Sequence, residues 1–186
     1  MAIAKRMKPL FFENVRIGFR NFSGKEGKYN KEGERNFVVF LDTDVAERMD
    51  EEGFNIKYLK PRDEDEQPQA YMQVKVNFNG GRPPKVRLIT SRGQNLLDEA
   101  DVQILDYAEI EDNRVDLIIN PSSWDVQGKQ GVSAYLSSIA VTIVEDQIDQ
   151  KYADIPDANA PDSAQSAIGF DLGELSPFDQ QRELER

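Results

Sequence analysis

The sequence predicts an all-β domain, a barrel or sandwich of about 145 residues with one or two short helices, followed by an acidic segment without regular structure. Three observations carry that prediction. One eight-residue stretch alternates strictly between apolar and polar side chains. Several other short runs of β-type residues are divided by turn residues, and only one stretch has the pattern of a capped helix. Finally, the last 42 of the 186 residues turn small, polar and proline-punctuated, and carry most of the net charge.

In chain order, Leu10–Phe22 and Glu34–Leu41 are the first expected strands. A helix is expected over Asp44–Glu52, with Asp44 as its cap, Glu47 three residues on, Val45 and Met49 on one face and Gly53 beyond the end. Asn55–Lys60 is the next strand. The carboxylate run Asp63–Glu66 reads as a solvated loop, because consecutive acids diverge whereas a metal site gathers them from separate elements. In Tyr71–Phe78 the apolar positions are Met72, Val74, Val76 and Phe78, alternating with Tyr71, Gln73, Lys75 and Asn77. That period of two puts one face in a core and the other in water. The Gly-Pro cluster 79–84 is a turn, and Lys85–Thr90 is expected to return as the second strand of a hairpin. Asn95–Ala100 suits a second helix or turn. Arg114–Asn120 and Gly131–Val144 are the last strands, and in the latter the apolar parity switches at Ser137-Ser138, which predicts a bulge or sharp bend. Between them lies a Gly- and Ser-rich connection, 120–135.

Composition narrows the chemistry. With no Cys there are no disulfides, thiolate metal sites or thiol nucleophiles, and with no His the commonest general base and metal ligand is missing. No catalytic constellation, metal set or cofactor motif emerges, so the expectation is a non-enzyme. No apolar run approaches the ~20 residues of a membrane helix, and no signal peptide is expected from the first residues. The net charge of −11 speaks against nucleic acid until it is divided: residues 145–186 carry −8 and residues 1–144 only −3. Residues 71–92 hold five basic side chains and no acid. Tyr71, Lys75, Lys85 and Arg87 would thus share a solvent face suited to phosphates and unpaired bases, although an ordinary solvated sheet face has the same make-up. The 120–135 connection adds the single Trp124, Lys129 between two glycines, and Tyr135. A lone Trp commonly packs in or beside a core, and the glycine spacing does not match a Walker loop. In the acidic segment, Phe170, Leu172, Leu175 and Phe178 stand among Asp and Glu, as in a docking peptide; an inert solubilising tail fits the same composition.

The stretches Leu97–Val102, Val115–Trp124 and Gly128–Leu136, preceded in compatible order by Glu34–Phe40, Tyr58–Arg62 and Tyr71–Phe78, resemble the OB-fold single-stranded DNA-binding proteins of bacteriophages. The resemblance covers roughly residues 10–145. It implies a five-stranded OB barrel with long loops over 1–145 and a disordered acidic tail over 146–186. Single-stranded DNA would cross a basic, aromatic groove in the cytoplasm of an infected bacterium. Carried over by position, the groove residues are Tyr58, Arg62, Tyr71, Lys75, Lys85, Arg87, Trp124, Lys129 and Tyr135. The tail residues for partners such as a polymerase or helicase-primase are Phe170, Asp171, Leu172, Glu174, Phe178 and Asp179, and the tail would otherwise compete for the groove. Related tails often end in an aromatic residue, whereas Phe178 lies eight residues from the end. A homodimer is compatible with the family. Two rival readings are a metal-dependent nuclease using clustered carboxylates and a virion or interaction component that touches no DNA.

Overall fold

The computed structural model describes residues 7–156. The chain divides into two units, Met1–Asp146 and Gln147–Arg186. The first holds β1 (Leu10–Val15), β2 (Ile17–Asn21), β3 (Arg35–Leu41), α1 (Thr43–Glu51), β4 (Ile56–Leu59), β5 (Gln69–Val76), β6 (Lys85–Thr90), β7 (Gly93–Leu97), a 3-10 helix (Val102–Asp106), β8 (Ile110–Val126) and β9 (Lys129–Ile143). The strands join one sheet whose main path runs β1-β8-β9-β5-β3-β2. Its two end strands are consecutive in the chain, linked through Arg16, so the sheet is a bent five-stranded OB-like arrangement in which strand one is broken. No helix among the described residues is long and apolar enough to cross a membrane.

The break in strand one has a local cause. Each half gains one residue against its partner, between Phe12 and Val15 and between Gly18 and Asn21. Asn14 and Phe19 adopt left-handed backbone there, with φ of 52° and 44°. Such bulges sharpen twist and bend, which lets the first half pair with β8 and the second with β3. Inside the curl, alternate residues interdigitate: Phe37 and Val39 of β3, Met72 and Val74 of β5, Leu117 and Ile119 of β8, Ile139 and Val141 of β9, with Phe22 stacked on Phe37 at 5.1 Å. Each such side chain contributes ~1.5–3 kcal/mol through burial.

Four local expectations are corrected. Strands β5 and β6 do not form a hairpin: both lie parallel to β9, with Lys75 opposite Tyr135 and then Lys85, Arg87 and Ile89 opposite Ser138, Ala140 and Thr142. The long connection 77–84, with two prolines, lets β6 resume beside β9 instead of folding back on β5. The antiparallel neighbour of β6 is β7, which takes up part of the segment expected as a second helix or turn. The supposed 120–135 connection is mostly ladder, for β8 and β9 pair without interruption from Ile119↔Leu136 to Val126↔Lys129. Gln127 and Gly128, with φ of 53° and 79°, close it as a two-residue turn whose twist matches the strands. Helix α1 starts after Asp42, whose side chain makes no cap bond, while Asp44 sits in the first turn and favours the helix dipole. The bend expected at Ser137-Ser138 is present: Ile118 faces Ser138 and Ile119 faces Leu136, leaving Ser137 as the extra residue.

In the second unit, α2 (Gln147–Lys151) forms within the segment expected to lack structure, with Asp149 in its first turn and Lys151 in its last complementing the dipole. The tail candidates Phe170, Asp171, Leu172, Glu174, Phe178 and Asp179 lie outside the described residues.

Candidate nucleic-acid interface

Residues directly opposite across a ladder point to the same face. On the outer face of the barrel, Phe40 of β3 therefore stands beside Tyr71 of β5, and Tyr71 beside Lys57 of β4. Two rungs of the same parity further along β5, Lys75 stands beside Tyr135 of β9, and its ammonium lies 5.7 Å from the centre of the Tyr135 ring. From Tyr135 the face continues up the β8–β9 arm through Asn120↔Tyr135, Ser122↔Ser133, Trp124↔Gly131 and Val126↔Lys129. Trp124 lies flat over Gly131: a Cβ at that position would come within 2.5 Å of the indole. The missing side chain is what seats the ring against the arm while leaving Trp124 42% exposed.

The arm and β4 enclose a cleft of about 670 Å³ lined by Lys57, Gln73, Lys75, Trp124, Ser133 and Tyr135 among others. Its lining holds two cations, three rings of which Phe54 is buried, a few aliphatic side chains and neutral hydrogen-bonding groups, with Asp50 at the α1 side. Ammonium groups neutralise phosphates, and exposed ring faces stack on unpaired bases without reading their identity. Among the described residues no group of three His, Cys, Asp or Glu side chains gathers to hold a metal ion.

The structure thus brings together Tyr71, Lys75, Trp124, Lys129 and Tyr135, drawn from three strands. Lys85 and Arg87 extend the row along β9, past the bulge, and Arg87 Nη1 donates to Ser138 Oγ at 2.9 Å. Tyr58 does not join: it faces Ala70, the parity of the inner residues, though it is itself exposed. Arg62 is exposed in the loop between β4 and β5. Sequence reasoning missed Lys57, Phe40, Phe19 and Arg16. Lys57 could have been found from the alternation in β4, and Phe40 only from its pairing with Tyr71, whereas Phe19 and Arg16 depend on the break and bulges in strand one, which leave no local pattern.

Loop 22–34, between β2 and β3, borders the same barrel and is held down by the 3-10 helix. Asp106 accepts from the Phe22 and Ser23 amides at 2.6 and 3.0 Å, and Arg20 Nη1 donates to the Leu105 and Ala108 carbonyls at 2.8 Å. Lys25 Nζ bonds to the Tyr107 hydroxyl, and that bond raises the lysine pKa above its ordinary value of 10.5.

An OB-like barrel with a basic, aromatic cleft on its outer face defines a class of nucleic-acid-binding domain. Within that class the chain belongs to a phage family: the description "Putative phage ssDNA-binding domain" matches residues 1–181. No curated protein matches the chain. Among solved structures, the chain is similar to the single-stranded DNA-binding protein from bacteriophage Enc34 in complex with ssDNA, at 13% identity and TM-score 0.49, over 74% of this chain and 88% of that one. It is also similar to gp2.5, a single-stranded DNA-binding protein encoded by bacteriophage T7, at 10% identity and TM-score 0.39, over 82% of this chain and 97% of that one.

Proposed function

We propose that this phage ssDNA-binding domain coats exposed single strands during DNA replication or recombination, with little sequence preference and without catalysing a reaction. One observation carries the reading: Lys57, Lys75, Trp124 and Tyr135 meet on one outer face around a single cleft, and Lys129 continues that face at the tip of the β8–β9 arm. The cations supply salt-dependent attraction to the backbone, and Trp124 and Tyr135 stack bases in the cleft. The acidic segment beyond residue 146 recruits replication proteins such as a polymerase or helicase-primase through Phe170, Asp171, Leu172, Glu174, Phe178 and Asp179, or occupies the groove when DNA is absent.

Because Trp124 is the only tryptophan and lines the cleft, titrating the whole protein with oligo-dT at low salt tests the reading directly. Quenching of its emission, with an affinity that falls as salt rises, is expected. An unchanged emission together with no binding at low salt would refute it.

A further inference from the structure

Phe19 is the one aromatic residue among the non-glycine positions of positive φ in the described residues. It takes the left-handed φ of 44° at the β2 bulge, a conformation that costs a side chain with Cβ about 1–2 kcal/mol and that Gly or Asn adopts more cheaply. Burial does not offset that cost, since the residue is 63% exposed. Its ring is nevertheless well placed. The Phe19 centroid lies 6.4 Å from Phe40 and 6.1 Å from Tyr71, both tilted contacts, on the same outer face as Lys57 and Lys75. Neighbouring Gly18 makes this possible, because a Cβ there would stand 2.7 Å from the Phe40 ring. Arg16, whose guanidinium lies 4.3 Å from the centre of the Phe40 ring, supplies a cation at the far side of the cluster.

We propose that Phe19, Phe40 and Tyr71, with Arg16, form a second base-stacking station for single-stranded nucleic acid, separate from the Trp124–Tyr135 cleft and joined to it across β5 through Lys57 and Lys75. This rests on the functional reading above and adds to it a direction: the strand runs from the β8–β9 arm across β5 to strand one, so longer oligonucleotides engage groups that short ones cannot reach. The strain at Phe19 is then a cost accepted to hold a ring face outward, where a bulge alone would need no aromatic residue.

Phe19→Asn separates the two roles, since Asn relieves the backbone conformation while removing the ring. The whole variant protein is compared with its parent for thermal stability and for binding to oligo-dT of about 4 and about 12 nucleotides, a short and a long member of the ~4–16-nucleotide range of OB-fold sites. Stability is expected to hold or rise, affinity for the longer oligomer to drop roughly ten-fold, and affinity for the shorter one to stay the same. The salt dependence should not change, because the ring carries no charge. Unaltered binding of the longer oligomer, while Lys75→Gln or Trp124→Leu still weakens it, would overturn the second station and leave the functional reading standing. Equal losses for both lengths would overturn it too, by placing Phe19 in the same site as the cleft. If the parent itself binds neither oligomer, the functional reading fails first.

Discussion

Replacing Lys75, Lys85 and Arg87 together by glutamine removes three charges that stand in file along β9, opposite Tyr135, Ser138 and Ala140. If each neutralises a phosphate, each contributes about 0.7 to the slope of log affinity against log salt on a single strand, so the slope should become shallower by about 2. Between 50 and 200 mM salt, such a change makes the variant's loss of affinity smaller than the parent's by about 20-fold. The two proteins therefore differ most at low salt and converge as salt rises. Folding should survive, because Lys75 and Lys85 are exposed and Arg87 gives up one hydrogen bond, to Ser138, worth about 1 kcal/mol. The assay is anisotropy of a labelled oligo-dT at four or five salt concentrations, with a thermal melt as control. A slope equal to the parent's, in a variant that melts normally, would mean that the DNA does not follow β9.

Gly131→Ala puts a methyl group 2.5 Å from the Trp124 indole and must dislodge the ring; affinity for oligo-dT should fall about ten-fold with little change in melting temperature, and a fully retained affinity would show that the seating of Trp124 is immaterial. Asp106→Ala leaves the half-buried Phe22 and Ser23 amides without their acceptor, at a cost of about 3 kcal/mol and roughly 10 °C in melting temperature; an unchanged melt would show that loop 22–34 is held by other contacts. Because the Lys25 pKa is raised by its bond to Tyr107, the stability from that contact is complete below pH 10.5 and lost as pH climbs through the raised value. Lys25→Met should accordingly alter the urea midpoint little at pH 7 and make it less sensitive to pH above about 10.5; identical pH profiles for variant and parent would dismiss the contact.

Much of the fold was legible because it is written locally. The alternation in Tyr71–Phe78 gave both the strand and its buried face, and the parity switch at Ser137-Ser138 gave the bulge, since each needs only neighbouring residues. Partners were not legible. A turn cluster between two strands ordinarily means a hairpin, yet β9, some 60 residues downstream, claims both β5 and β6 as parallel neighbours. The arm was misread for the opposite reason: Ser, Gly and Gln at 122–130 resemble a loop, and only pairing turns them into a ladder. The candidate site followed the same rule. Tyr71, Lys75 and Tyr135 share a face by simple parity, whereas Tyr58, carried over by position from the family resemblance, has a parity in β4 that opposes that face. Phe19 escaped because a bulge resets parity within its own strand.

The strand pairings also dictate when the protein can fold. β1 pairs with β8 by joining Leu10 to Ile119, and β5 pairs with β9 by joining Lys75 to Tyr135. During synthesis the first four-fifths of the domain must therefore leave the ribosome with strand one and β5 lacking these partners, and the barrel can close only when β8 and β9 emerge. Such distant pairings place folding in the millisecond-to-second range and leave exposed strand edges in the meantime. The β8–β9 arm, whose pairing is local and whose turn is preset, can form first and offer β9 as a template along which β5 and β6 align one after the other.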